Sequence, residues 1–271
     1  MFKERGVEIK TPEQIELMRA AGLVVGHTLE LLRETIRPGM TTLELDRVAE
    51  DNIRSSGAEP SFKGYHGFTG SICASVNDEV VHGIPGDRVI GEGDIVSIDC
   101  GAIVDGWHGD AAITVAVGEV PAEALELMRV TEEAMWRGFA AARLGGRVTD
   151  ISHAVESYVR SQGDFGIVED YVGHGIGSAM HQPPNVPNFG RPGRGPKLVE
   201  GLALAVEPMV VLGDQSTHVL ADDWTVKTDD GSVAAHFEHS FTLTARGTWI
   251  LTAIDGGEAK LGELGVPFGG H

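Results

Sequence analysis

The chain has 271 residues, 42% of them hydrophobic and 23% charged, and its 21 Lys and Arg against 40 Asp and Glu leave a net charge of −19. Such a length and apolar share support a substantial hydrophobic core and exclude wholesale disorder. No apolar run approaches the roughly eighteen residues of a membrane-spanning helix, and so acidic a chain is unsuited to wrapping nucleic acid, whose phosphates need clustered Lys and Arg.

The charged start, Met1 to Lys10, has no secretory pattern. Thr11 and Pro12 read as the cap and first-turn residue of a helix whose apolar face is Ile15, Leu17, Met18, Ala21, Val24, Val25, Thr28, Leu29 and Leu32. Pro38-Gly39 breaks that pattern, Leu43, Leu45, Val48, Ala49 and Ile53 restart it, and Gly57 closes it. Short β-like runs follow at Ser71–Val76, Asp94–Cys100 and Ala111–Val117. Pro121 to Gly163 then repeats the helix pair, with Leu127-Met128-Arg129 matching Leu17-Met18-Arg19 and Arg160-Ser161-Gln162-Gly163 matching Arg54-Ser55-Ser56-Gly57. The second set of β-like runs is Leu202–Leu212, His236–Thr244 and Thr248–Thr252.

An internal repeat near half the chain length predicts one domain, residues 1–271, made of two pseudo-symmetric halves at about 11–120 and 121–255. Helix pairs alternating with strand sets predict an α+β layer fold, an antiparallel-rich sheet with helices on one face, and a ligand site between the halves. A chance recurrence of helix-then-strands is the competing reading. Gln182–Pro196 reads as a Pro/Gly-rich loop and the segment after Asp255 as a loose tail. Cys73 and Cys100, the only cysteines, are too few for a disulfide scaffold or a thiolate zinc module and suit a reducing, cytoplasmic compartment.

The residues able to do chemistry fall in four clusters. In the first, Asp99 lies in an apolar run and Asp110 opens the next one after a turn; alternation puts Ser97 and Asp99 on one face and Val96, Ile98 and Cys100 on the other. Two carboxylates on paired strands raise each other's pKa unless a proton or cation lies between them, although solvated turn residues are the competing reading. The second is Gly173-His174-Gly175-Ile176-Gly177 with His181 beyond it. Its glycines let the backbone pass close to a bulky neighbour or take φ > 0, whereas a lone histidine is as readily a core or surface residue. In the third, Val206-Glu207-Pro208, a buried-looking strand ends in a carboxylate held extended by the proline. The fourth, His236 to Phe241, puts His236, Glu238 and Ser240 on one face and Phe237, His239 and Phe241 on the other. Only Lys227 and Arg246 lie near these segments as cationic partners. Four inward carboxylates and one histidine form an oxygen-rich set able to hold two divalent ions, for which Co, Fe, Mn and Zn are all suitable.

Together, Gly64-Tyr65-His66-Gly67-Phe68, Asn77 to Pro85, Asp99, Asp110, His174, His181, Glu207-Pro208 and Phe237-Glu238-His239 resemble, in this order, the motifs of type I methionine aminopeptidases, metallopeptidases of the pita-bread fold. The similarity runs from about Thr11 to about Thr252. It implies a duplicated α+β fold whose curved antiparallel-rich sheet carries helix pairs on its outer face. It also implies hydrolysis of the initiator methionine from nascent polypeptides by a metal-activated water. Asp99, Asp110, His174, Glu207 and Glu238 fall on the five metal ligands, with Asp110 and Glu238 bridging two ions, Asp99 chelating one, and His174 with Glu207 completing the other. Glu207 would also handle the proton of the attacking water. His181 would hydrogen-bond the scissile carbonyl and His82 the backbone that follows the first residue. Tyr65, Phe68, Cys73, Met180 and Trp224 match the methionine pocket; Met180 and Phe62 depart from residues found in relatives but keep it apolar.

The resemblance further implies a transient ribosome contact, for which Arg191, Arg194 and Lys197 offer a small basic patch beside the acidic Asp222, Asp223, Asp229 and Asp230. The short stretch from His181 to Glu207 leaves no room for the helical insertion of type II relatives. Two other readings stand beside this one: a proline-directed peptidase of the same fold, which normally carries a further amino-terminal domain, and an interaction protein that has lost its ligands, although all five ligand types are present here. A monomer is the simpler expectation.

Overall fold

A computed structural model describes residues 6–271. The elements in chain order are α1 (Pro12–Thr35), α2 (Thr42–Ser55), β1 (Glu59–Pro60), β2 (Ile72–Val76), β3 (Glu79–Val81), β4 (Ile95–Val104), β5 (Trp107–Ala116), α3 (Ala122–Ala141), α4 (Val148–Gln162), β6 (Gly166–Ile167), β7 (Gly173–Gly175), β8 (Gln182–Val186), β9 (Ala203–Val206), β10 (Met209–Val211), β11 (Thr217–Val219), β12 (Val226–Thr228), β13 (Ala234–His236), β14 (Glu238–Leu243), β15 (Thr248–Ile250) and α5 (Glu258–Glu263).

Helix α1 begins where the sequence places its cap. At α1 the Gln14 N–H donates to Thr11 Oγ1 at 3.4 Å while the Thr11 N–H donates to Gln14 Oε1 at 2.9 Å, a reciprocal pair that satisfies two donors left open by helix geometry. Thr41 and Glu44 repeat the device at α2, with 2.7 and 3.2 Å. Ile15, Met18, Ala21, Val25, Leu29 and Leu32 are buried along α1, and Leu127, Val130, Ala134 and Phe139 along α3. The two helix pairs share one apolar core with Val96, Ile98, Cys100, Ala111, Ile113, Val206 and Phe241 of the strands.

Nine strands form the main sheet, in hydrogen-bonded order β1-β4-β5-β14-β9-β7-β8, with β2 also on β4 and β15 also on β14. Two three-stranded sheets, β13-β10-β6 and β11-β12-β3, flank it. The strand pairings are antiparallel. The core residues of β4 and β5 alternate with Asp99 and Asp110, so the helices cover one face and the carboxylates look out from the other. The architecture is the α+β layer expected from the sequence. No helix among the described residues is long and apolar enough to cross a membrane.

Three expectations need correction. The runs 202–212 and 236–244 are not single strands. The first divides at Glu207-Pro208 into β9 and β10, and the second at Phe237 into β13 and β14. Pro208 has no N–H for a ladder, and at each break the chain passes between the main sheet and the small one. The segment after Asp255 is not loose. It forms α5, buries Leu261 and Val266, and ties Gly269 N–H to the Thr248 carbonyl at 2.8 Å. Part of the Gln182–Pro196 loop is β8, paired with β7.

Helix α1 approaches the sheet closely. A Cβ on Gly22 would lie 2.2 Å from the Leu251 carbonyl oxygen, and one on Gly109 2.7 Å from the Gly22 nitrogen. Arg19 reinforces the seam by donating to the carbonyls of Leu251 at 2.7 Å and Ile254 at 2.8 Å. Because Gly109 precedes Asp110, this contact fixes the start of the carboxylate-bearing strand. Gly22→Ala gains at most about 1 kcal/mol of helix propensity but overpacks a backbone seam, at a cost of about 1–3 kcal/mol or more. It is expected to lower Tm by several degrees, whereas Gly262→Ala, where an added Cβ meets nothing within 4 Å, leaves Tm unchanged or raises it. Thermal unfolding of the two variants side by side checks the assignment, which an unaltered Tm for Gly22→Ala would refute.

Candidate metal centre

One register row across the main sheet assembles the site. Cys73 on β2 pairs with Asp99 on β4, Asp99 with Ala112 on β5, and Ala112 with Glu238 on β14; directly paired residues share a face. Asp110 lies two positions before Ala112, on that same face. Glu207 follows Val206, the partner of His239, so it reaches the row at the point where β9 gives way to β10. His174 arrives on β7, beside β9. Its glycine neighbours serve close approach: a Cβ on Gly173 would lie 2.3 Å from the Ala205 carbonyl oxygen, and one on Gly175 2.3 Å from that of Pro183. Neither takes a positive φ, so of the two roles expected for these glycines only the first is seen.

Asp110, His174 and Glu238 each offer a ligand atom within 4.8 Å of the others, and so do Glu207, His236 and Glu238. His174 Nε2 stands 3.5 Å from Glu207 Oε1, and His236 Nε2 stands 4.0 Å from Glu207 Oε2 and 3.9 Å from Glu238 Oε2. The Nδ1–H of His174 donates to the Gly175 carbonyl at 3.0 Å. A carbonyl can only accept, so the bond fixes the tautomer that leaves the Nε2 lone pair for a cation. The two basic residues noted near these segments do not serve the site: Lys227 pairs with Asp78 at 2.8 Å and Arg246 with His271 at 2.9 Å.

The donor set fits divalent cations. Asp99 Oδ1, Asp110 Oδ1, Glu207 Oε1, Glu238 Oε1 and His236 Nε2 are buried without a hydrogen-bond partner, although such groups are costly when unsatisfied. Burial pushes Asp99 up to about 7. It raises Asp110, Glu207 and Glu238 well above the carboxylate range, and the neighbouring carboxylate charges raise them further. Burial, with the His181 charge second, lowers His174 to about 3, so its imidazole is neutral as a ligand must be.

The same cavity, of about 140 Å³, continues into an apolar pocket. Phe62, Phe68, Cys73 and Met180 are buried together, with Tyr65, Ile84 and Trp224 packed against them; the Phe68 and Trp224 rings meet edge-on at 5.1 Å. Burial and then the Asp99 charge raise the Cys73 thiol, which stays protonated and acts as a packing group. His82 and His181 line the cavity. Burial, then the His181 charge, lowers His82 to about 4, and its ring stands edge-on to Tyr171 at 5.5 Å and Trp224 at 6.1 Å. The structure thus brings together every site residue singled out in the sequence. It adds Tyr171 and His236, the latter foreshadowed only by its sharing a strand face with Glu238.

Buried acids and neutral imidazoles, poised for cations beside an apolar pocket, define a hydrolytic metal centre. The chain belongs to metallopeptidase family M24, whose model matches residues 16–245. It is 55% identical over 248 residues to a protein of Clostridium acetobutylicum named methionine aminopeptidase, covering 91% of this chain and 99% of that one. A Bacillus subtilis protein named methionine aminopeptidase 1 is 49% identical, at 90% and 98% coverage. The crystal structure of methionine aminopeptidase from Thermotoga maritima superposes with a TM-score of 0.89 at 44% identity, covering 91% of this chain and 99% of that one. The duplicated pita-bread fold follows from these matches.

Raised carboxylate pKa values mean that the metal-free folded protein keeps protons which its unfolded chain has already released, so its stability falls as pH rises through about 7. The buried histidines act in the opposite sense, but only below their ordinary value of 6.5. Chelated protein is therefore expected to lose Tm as pH rises from about 6.5, where the opposing histidine contribution is complete, through about 7, and a saturating divalent ion to abolish the loss by replacing the protons. A Tm that is flat or rising over that range after chelation would contradict a dry carboxylate cluster.

Proposed function

We propose that this protein is a methionine aminopeptidase, removing N-terminal methionine from nascent polypeptides as one catalytic domain of two halves, about 11–120 and 121–255. Asp99, Asp110, His174, Glu207 and Glu238 would hold two divalent ions of the Co, Fe, Mn or Zn type. Such a pair, when bound, lowers the pKa of a water and polarises the scissile carbonyl. The observation that carries the proposal is one cavity whose walls are orphaned carboxylate oxygens on one side and Phe68, Cys73, Met180 and Trp224 on the other.

The residues divide the work between them. The apolar pocket takes an unbranched thioether side chain and excludes water from it. Glu207 faces His174 with one oxygen and His236 with the other; it accepts the proton of the attacking water and returns it to the leaving amine. His181 Nε2–H donates to the scissile carbonyl oxygen as charge develops there, and His82 orients the backbone beyond the first residue. Asp99, Asp110 and Glu238 would hold the cation at which a free, neutral α-amine binds, which limits cleavage to one residue at the N-terminus. The exposed loop carrying Arg191, Arg194 and Lys197 is the surface proposed for transient ribosome contact, with the cytoplasm as the compartment.

Among Met-Ala-Ser, Leu-Ala-Ser and Ala-Pro-Ser, only the first should be cleaved at an appreciable rate, with free methionine as product. Glu207→Gln should lower kcat by about 100-fold or more while the circular dichroism spectrum is retained. Preference for Ala-Pro-Ser would favour the proline-directed alternative, and failure to cleave any of the three with each of the four metals would overturn the assignment.

A further inference from the structure

Tyr65 stands among the pocket residues, but its hydroxyl does something that pocket lining does not require. The Tyr65 hydroxyl lies 2.9 Å from Nδ1 of His181, the two ring centroids are 5.4 Å apart, and the imidazole also meets His174 at 4.4 Å between centroids. A neutral imidazole carries one N–H, so its two nitrogens have opposite roles. If the Tyr65 O–H donates to Nδ1, the proton must sit on Nε2, the nitrogen left for the cavity. If Nδ1–H donates to the phenol oxygen, Nε2 presents a lone pair, which repels a carbonyl oxygen. The direction of one hydrogen bond therefore decides whether His181 can act as a donor.

The loop that presents the hydroxyl is held tightly. Gly64 and Gly67 have φ of 89° and 92°, and His66 sits at 46° in the same left-handed region. Within the loop the Tyr65 N–H donates to the Phe62 carbonyl at 2.9 Å, the Phe68 N–H to the Tyr65 carbonyl at 2.9 Å, and the Gly64 N–H to the Phe68 carbonyl at 2.8 Å. Just before it, the Ser61 N–H donates to the Gly101 carbonyl at 2.9 Å, tying the loop to β4. His181 is fixed from its own side by the buried Met180 and by Gln182 at the start of β8.

We propose that Tyr65 is a positioning residue: its hydroxyl donates to Nδ1 of His181 and holds the proton on Nε2, where it faces the scissile carbonyl. The inference rests on the reading of His181 given above and extends it to a residue assigned so far only to the methionine pocket. The ring packs in the pocket while the hydroxyl orients the donor, so the two roles separate in Tyr65→Phe.

Tyr65→Phe keeps the ring and should leave KM for Met-Ala-Ser within about twofold, while kcat falls about tenfold, the size of one lost hydrogen bond. Tyr65→Leu should also raise KM, because the pocket wall is then lost. The decisive readout is independent of turnover. In zinc-loaded protein with 15N-labelled histidine, His181 (assigned through His181→Asn) should show a protonated Nε2 and an accepting Nδ1. In Tyr65→Phe the two signals should move toward each other as both tautomers populate. Wild-type His181 carrying its proton on Nδ1, or a Tyr65→Phe protein with unchanged kcat and unchanged ring signals, would overturn the proposal. Because the tautomer is read without substrate, absence of peptidase activity in the wild type would count against the assigned reaction and leave this test standing.

Discussion

The structure is organised around a charge conflict. Two carboxylates about 4 Å apart repel by roughly 4 kcal/mol at an effective dielectric constant of 20, and this molecule gathers four in a place where water is scarce. Asp110 and Glu238 are 3% and 2% exposed, and the opposite face of their strands is sealed by Ile98, Cys100, Ala111 and Phe241 under the helices. Protons relieve the conflict in the bare protein, and cations relieve it better because each offsets two charges and takes several oxygens at once. The strong back of the sheet is what allows so much unfavourable charge at its front. A looser core would admit water, return the acids to their ordinary pKa and remove the drive to bind cations.

The geometry of the gathering depends on two interruptions. Had β9 run unbroken into β10 and β13 into β14, Glu207 and Glu238 would have been ordinary ladder residues within a single sheet. Instead both chains pass between the main sheet and the small one beside each other, at Pro208 and Phe237, with the Phe237 N–H reaching the Pro208 carbonyl at only 3.4 Å. The carboxylates and His236 occupy the crease so formed. On the other flank β7 is squeezed between β8 and β9, where only glycine fits at 173 and 175, and this brings the His174 ring down onto Glu207. A crease and a squeeze thus turn a row of side chains into a cage.

How far the sequence reveals this follows from the range of the interactions concerned. Helices α1 to α4 are legible because the cap at Thr11, the breaks at Pro38-Gly39 and Gly57 and the apolar periodicity are local signals. Asp99, Glu207 and Glu238 are legible because a carboxylate within an apolar run is costly unless it has a partner. The strand breaks are less so: Pro208 signals one, but the break at Phe237 arises from which strand lies alongside, and no local pattern encodes that. The close approaches of Gly22 to Leu251 and Gly109 to Gly22 are invisible for the same reason. The C-terminal segment misleads because its helix is a single short piece, and Leu261 and Val266 find burial only against distant elements. The apolar pocket formed by Phe62, Tyr65, Phe68, Cys73, Met180 and Trp224 has no spacing rule at all and is readable only through resemblance to a family.

Strain completes the picture. His66 and His82 both adopt left-handed backbone, with φ of 46° and 60°, a conformation costing of order 1–3 kcal/mol for residues with a Cβ. Each is held by its neighbours. The Gly83 N–H donates to Ser75 Oγ at 3.0 Å, and the Ala74 N–H to the Gly83 carbonyl at 2.9 Å, which pins the turn behind His82 to β2; Gly64 and Gly67 bracket His66. The regular helices stand behind the sheet, and these tight turns lie on the cavity side. That division has a physical logic, because side chains projected from pinned left-handed turns have few alternative directions. A substrate would then meet an imidazole already aimed, and little ordering entropy would remain to be lost on binding.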